Sequence, residues 1–255
     1  MSVTAPYQAL APYYTHVMSH VDYPGWIRHL RTLWRKYHGS KPPERILEIA
    51  AGTCPFASSP LFPDAFTVYT DQSPSMLRIA SPAGASQSAP RRVACDVRSL
   101  PLREPFDLAV MIYDSFNYLL RPEEILRSLK EIKQVLKPQG LFIFDVTTET
   151  CSRRHFADTL DFEELYAPTA GNIIRVSRYD ARTRMQLNLF TFFTEAADGR
   201  YDRREEVHRQ RIYPVAALKK QAERAGFKVR ACLAEFTLKP GSDRNERVHF
   251  VLQKP

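Results

Sequence analysis

The sequence predicts an α/β fold in which helices cover a mostly parallel sheet, and three observations carry that expectation. Short apolar runs alternate with helical segments through residues 43–146, acids sit at the ends of successive runs, and Gly or Pro punctuates the joins. Residues 1–42 read as a helical cap, with Trp26, Ile27, Leu30, Leu33 and Trp34 at helical spacing and Gly39 followed by Pro42 and Pro43 as the stop. The first buried strand is Ile46, Leu47 and Ile49 around Glu48, and it runs into the small residues Ala50, Ala51 and Gly52. A second strand spans 66–70 and ends at Asp71; a third spans 92–95 and ends at Asp96. The polar segment 81–90 between them reads as a loop. Residues 106–112 form a fourth strand, and 122–136 form the clearest helix, with acids in its first turn. Gly140 then turns the chain into a fifth strand ending at Asp145. Residues 173–179, 185–194 and 201–213 alternate in the β manner, so 147–213 is expected to be an inserted antiparallel sheet lying over the strand ends as a lid. A helix from Pro214 to Gly226 and a hairpin of 227–236 with 248–253 complete a seven-stranded sheet, making residues 1–255 one domain.

The turn at 48–54 separates two kinds of nucleotide. A dinucleotide fingerprint needs three glycines at a helix N-terminus facing a diphosphate, and a carboxylate there opposes the ligand. Here only Gly52 is glycine, and Glu48 is the carboxylate. S-adenosylmethionine has no phosphate and carries a sulfonium and an ammonium, so an acid attracts it. Asp71 stands roughly 20 residues on, the spacing at which a carboxylate receives a ribose diol. Asp96 can accept the adenine amino proton. Taken singly, Glu48 reads equally as a solvated or capping residue of an ordinary turn, and Asp71 and Asp96 each read more readily as cap or turn residues.

Together these segments resemble the class I S-adenosylmethionine-dependent methyltransferases, from about residue 7 to the end. The matching motifs are Glu48-Ile-Ala-Ala-Gly-Thr-Cys54, Asp71-Gln-Ser-Pro-Ser-Met-Leu77 and Leu136-Lys-Pro-Gln-Gly140, with Ala50, Cys54 and Gln139 where glycine is usual. Tyr7, Leu10, Ala11, Tyr14, Met18, Val21-Asp22-Tyr23 and Trp26 are similar to the N-terminal cap of bacterial small-molecule methyltransferases, with Thr15 where Asp is common; 114–119 and 206–214 are similar to the same group. The resemblance implies a Rossmann-like seven-stranded sheet with an antiparallel C-terminal hairpin. It also implies S-adenosylmethionine held by Tyr14, Glu48, Ala50, Gly52, Asp71, Gln72, Met76, Cys95, Asp96, Val97 and Tyr113. Asn117, Tyr118, Glu206, Gln210 and Arg211 are its implied substrate contacts.

Methyl transfer is an in-line displacement in which alignment supplies much of the rate, and a base is needed only for a protonated nucleophile. His208 is the candidate base, with Tyr113 as second catalytic candidate. Glu206, His208 and Gln210 share one strand face, which is either exposed to water or turned into a polar cavity. The pair His16 and His20 lacks a third ligand at a known spacing, so no metal is expected, and His29, His38, His155 and His249 have no constellation around them.

The net charge of +8 comes from basic residues interleaved with acids, which reads as a solvated surface more than an RNA footprint. No N-P-P-[YF] segment follows strand four, which disfavours nucleobase amino groups. The acceptor is therefore expected to be a small molecule methylated at O, N or C; RNA or protein, or a non-catalytic cofactor-binding module, are the alternatives. The four cysteines are widely spaced with no CxxC pair, so neither structural zinc nor a disulfide framework is expected. The start has no signal-peptide pattern and no run is long enough to span a membrane, so a cytoplasmic monomer or homodimer is expected.

Overall fold

The structure, a computed structural model, describes residues 3–79, 91–103, 105–165 and 170–255. The loop expected over 81–90 lies outside the described residues. The chain opens with β1 (Val3–Thr4), a 3-10 turn (Ala11–Tyr13), α1 (Tyr14–Val17) and α2 (Tyr23–Tyr37). The core follows as β2 (Arg45–Ile49), α3 (Pro55–Ser58), β3 (Phe66–Asp71), α4 (Pro74–Ile79), β4 (Arg91–Ala94), β5 (Phe106–Met111), a 3-10 turn (Ser115–Tyr118), α5 (Pro122–Val135) and β6 (Leu136–Thr147). The insertion holds α6 (Glu149–His155), β7 (Thr159–Leu165), β8 (Gly171–Asp180), β9 (Met185–Glu195) and β10 (Tyr201–Arg211). Helix α7 (Val215–Arg224), β11 (Lys228–Ala234) and β12 (Arg247–Gln253) return to the core.

Helix α2 starts where Asp22 accepts the Gly25 amide at 2.9 Å, and its buried stripe is Trp26, Ile27, Leu30, Leu33 and Trp34. In α5, the Glu124 carboxylate takes the Leu120 and Arg121 amides, satisfying donors at the helix start. The seven-stranded sheet has the order β11-β12-β6-β5-β2-β3-β4, with β12 antiparallel to both of its neighbours. Period-two alternation sends β2 residues to opposite faces. Leu47 and Ile49 join the cluster with Ile125, Leu129 and Leu218 of α5 and α7, whereas Ile46 joins Leu30, Leu33 and Trp34 of α2.

The insertion is a larger sheet than the sequence suggested. Its order is β1-β10-β9-β8-β7, so the expected strands gain β7 at one edge and the N-terminal β1, parallel to β10, at the other. Strand β7 was hidden because its apolar alternation points outward: Leu160 is 70% exposed and Phe162 60%. Ala9, Leu10 and Tyr13 of the cap pack with Leu165, Ile173 and Phe192, so cap and insertion share an apolar core.

Candidate active site

The glycine-poor turn after β2 uses left-handed backbone at Ala50 (φ 53°), Gly52 (φ 58°) and Cys54 (φ 53°). Gln139 (φ 64°) does the same before the long part of β6. All three departures from glycine therefore stand where an L side chain is strained, which is the physical reason glycine is usual there. A Cβ on Gly52 would meet Met76 Cε at 3.2 Å and Tyr14 Cε1 at 3.7 Å, so the fold brings both side chains to the bare turn.

Glu48 is 3% exposed, and its carboxyl has no hydrogen-bond partner among the described residues. Burial, reinforced by Asp71, pushes its pKa up to about 8. Across the turn, Asp71 Oδ2 accepts the Gly52 amide at 2.8 Å and Oδ1 accepts the Ser73 amide at 2.7 Å. Each oxygen thus keeps one lone pair, the arrangement a vicinal diol needs. Burial raises the Asp71 pKa against the pull of those amides.

The remaining cofactor candidates divide. Cys95 donates its amide to the Asp71 carbonyl at 3.0 Å, and Cys95 and Val97 are half-buried against the core at this edge. Gln72 is exposed beside Asp71. Asp96, in contrast, is occupied: Arg98 Nε reaches both of its oxygens at 2.9 Å, and the Arg98 amide adds a bond at 2.8 Å. An adenine amino group would compete with that guanidinium.

Over the ends of β5 and β6, the polar face of β10 turns inward. Glu206 is 0% exposed, His208 1% and Gln210 3%. Glu206 accepts four successive amides, from Tyr7, Gln8, Ala9 and Leu10, together with His208 Nε2 at 2.7 Å. Burial works to raise its pKa, but His208 and the amides outweigh it and hold the carboxylate ionised below its usual range. His208 Nδ1 meets the Tyr118 hydroxyl at 2.8 Å, and the Tyr7 hydroxyl donates to Tyr118 at 2.8 Å. An ionised Glu206 is acceptor only, so His208 donates its Nε2 proton to it, which leaves Nδ1 as the nitrogen facing the Tyr118 hydroxyl.

The other substrate candidates are bound to protein. Asn117 gives Nδ2 to the Thr147 and Arg211 carbonyls and takes the Thr147 amide. Gln210 links Gln186 to Asp114, and Arg211 reaches the Leu120 carbonyl. Tyr113 (φ 61°) and Asp114 (φ 51°) are consecutive left-handed residues after β5. The Tyr113 hydroxyl lies 3.2 Å from His20 Nε2, and burial raises its pKa.

One feature of the site escaped sequence reasoning. Arg247, at the start of β12, ion-pairs with Asp145 and, at 3.0 Å, with Asp114. Burial opposes its charge, yet the two carboxylates keep it firmly protonated. Asp114 thereby ties Gln210 of the lid to Arg247 of the core. The partners lie 133 residues apart, and no local pattern marks such a pair. Among the described residues no cluster of His, Cys, Asp or Glu could hold a metal, and His16 and His20 are engaged separately, by Glu163 and by Tyr113. No described helix is long and apolar enough to cross a membrane.

The turn fits S-adenosylmethionine on its own terms: a buried carboxyl lacking a protein partner, a carboxylate with a free lone pair on each oxygen, and a glycine flanked by Tyr14 and Met76. Comparison with known proteins agrees. A family described as a methyltransferase domain matches residues 46–140. A protein of Geobacillus sp. (strain WCH70) whose name places it among the methyltransferases is 30% identical over 254 residues, covering 97% of this chain and 99% of the relative. YqeM of Bacillus subtilis (strain 168), named likewise, is 30% identical over 257 residues, with 97% of each chain covered. Among solved structures, an S-adenosylmethionine-dependent methyltransferase from Clostridium acetobutylicum ATCC 824 superimposes with a TM-score of 0.77 at 21% identity, covering 95% of this chain and 96% of that one. The sugar N-methyltransferase KedS8 from Streptoalloteichus sp ATCC 53650 gives 0.74 at 16% identity, with 95% and 92% covered. With its motifs, fold and full-length relatives in agreement, the chain belongs to the class I S-adenosylmethionine-dependent methyltransferases.

Proposed function

We propose that this enzyme methylates a small-molecule acceptor at an O, N or C atom. The observation that carries the proposal is enclosure: Glu206, His208, Gln210 and Asn117 are each at most 3% exposed beneath the joined cap and lid. A nucleic-acid or protein strand needs an open face, whereas a small molecule reaches a closed one during brief lid opening. The solved structure of KedS8, a sugar N-methyltransferase, shares this architecture and supports the same acceptor size.

The bound cofactor supplies an electrophilic methyl group on a sulfonium. Asp71 would receive the ribose hydroxyls and Glu48 the ammonium, with Gly52, Ala50, Tyr14 and Met76 around the methionine moiety; Gln72, Cys95, Asp96 and Val97 would line the adenine end. Tyr113 would stand at the wall shared with the acceptor. His208 has both ring nitrogens engaged, so it acts through its neighbours. A proton released by an acceptor and carried by water to the Tyr7 oxygen is taken up as Tyr7 gives its own to Tyr118 and Tyr118 gives its own to His208 Nδ1. The resulting imidazolium rests against ionised Glu206. Asn117, Gln210 and Arg211 hold this relay in place.

The test is incubation of the purified enzyme with isotopically labelled cofactor and a metabolite extract, read by mass spectrometry for a small product gaining one methyl. Labelling confined to RNA or protein overturns the proposal. For the relay, His208→Ala and Tyr118→Phe should lower kcat and flatten its pH profile with cofactor affinity preserved, and turnover equal to wild type across pH would remove His208 as the base.

A further inference from the structure

A cavity of about 630 Å³ lies beside the ends of β5 and β12, walled by Trp26, His29, Tyr113, Phe236 and Arg247. Its size is that of a small-molecule site. We infer that it is the acceptor pocket of this methyltransferase and takes an uncharged planar ring bearing one hydroxyl group, an assignment that rests on the small-molecule reading above.

Position comes first. Tyr113 lies two residues past the end of β5, and Arg247 pairs in register with Thr147 at the end of β6. In open α/β sheets, ligands bind outside those strand ends. The Tyr7, Tyr118 and His208 side chains pack against one another under the lid.

The walls specify shape. Trp26 and Phe236 meet edge to face at 4.8 Å, and Tyr113 lies 6.3 Å from Trp26, which gives the cavity one aromatic wall. Of the five large apolar side chains exposed among the described residues, Phe236 (50%) and Leu238 (43%) both stand on this cavity. Exposed apolar surface gathered at one place marks a binding site.

Charge is cancelled in the lining. Arg247 is held by Asp114 and Asp145, and Arg28 pairs with Asp22 at 3.4 Å. His29 is buried, which lowers its pKa to about 4, so it is neutral at physiological pH. An ionised ligand would have no free counter-charge.

One polar valence is left open. His29 is 7% exposed, lines the cavity, and has no hydrogen-bond partner for Nε2. Its ring packs against His249 at 4.6 Å, whose own Nε2 is also buried without a partner. A buried unpaired nitrogen costs stability that a ligand can restore. Whichever tautomer His29 adopts, a hydroxyl satisfies it, since a hydroxyl both donates and accepts.

The test uses the full chain, free and saturated with S-adenosylhomocysteine, titrated calorimetrically with 2-naphthol, naphthalene and 2-naphthoate. The expected result is binding of 2-naphthol more tightly than the other two, with quenching of Trp26 emission. His29→Leu should weaken 2-naphthol about tenfold, the worth of one hydrogen bond, and leave naphthalene unchanged. Phe236→Ser, at an exposed site with little risk to folding, should weaken both. If S-adenosylhomocysteine binds but 2-naphthol does not, the pocket assignment fails while the methyltransferase reading stands; if neither binds, both fail. Tighter binding of 2-naphthoate, or unchanged 2-naphthol affinity in His29→Leu and Phe236→Ser, also overturns the assignment.

Discussion

The cofactor turn and the cap-lid junction each hold buried carboxylates, but they hold them in opposite states. Glu206 at the junction is saturated by four amides and an imidazole. At the turn, Glu48 has no partner, and Asp71 keeps a lone pair on each oxygen after accepting two amides. The difference separates a tether from a receptor: a carboxylate whose valences the chain fills stabilises the fold, and one left open at a strand end is available to a ligand. Burial alone does not distinguish them, since Glu206 and Glu48 are both at most 3% exposed.

If that division is right, the largest stability loss follows removal of the tether. Glu206→Ala strands four amides and His208, a loss of the order of 3–5 kcal/mol, as when one partner of a buried pair is deleted. Denaturant unfolding should show it, with faster proteolysis of the first dozen or so residues as β1 leaves β10. Stability within 1 kcal/mol of wild type would erase the contrast.

Asp71→Ala should do the reverse. Two hydroxyl bonds to a charged acceptor are worth about 1.5 kcal/mol or more each, so cofactor affinity should fall at least about a hundredfold. The fold should lose less than in Glu206→Ala. Calorimetric titration with S-adenosylmethionine decides it: unchanged affinity would count against the whole turn as the cofactor site.

Glu48 sharpens the comparison through pH. Its pKa of about 8 in the folded protein lies above the ordinary 4.5, so the fold prefers the protonated form, and free-enzyme stability should decline as pH rises from about 4.5 to about 8. An arriving ammonium favours the ionised form, so binding at pH 7 should release a proton and affinity should climb toward pH 8, by at most about tenfold per pH unit. Titration in buffers of different ionisation enthalpy measures that proton. Glu48→Gln should abolish its release and flatten the stability profile; a proton still released by the variant would assign the linkage elsewhere.

Much of this was legible in the sequence because it is local. The strand runs, the acids Glu48 and Asp71 and the α2 stripe each follow from residues close together in the chain. The inward turn of Glu206, His208 and Gln210 was not: a period-two polar face reads alike in water and in a cavity, and the choice depends on amides some 200 residues away. Arg247 between Asp114 and Asp145 and the meeting of His29 with His249 are equally long-range. Strand β7 was masked by its outward-facing apolar residues, and the occupation of Asp96 by Arg98, two residues on, could have been suspected from the sequence.

The smallest expected effect tests the backbone reason for the missing glycines. Gln139 holds φ 64°, its side chain is exposed, and its backbone bonds to Lys254 and Gln253 involve only its own amide and carbonyl. Left-handed backbone costs an L residue about 1–2 kcal/mol, while glycine gives back roughly 0.5–1 kcal/mol through the freedom of the unfolded chain. Gln139→Gly should therefore raise stability by about 0.5–1 kcal/mol, and Gln139→Ala, which keeps its Cβ, should not. Ala50 and Cys54 are poorer probes, because both pack against the core and lose contacts when trimmed. A glycine variant less stable than the alanine one would mean that strain at φ 64° is not what the usual glycine relieves.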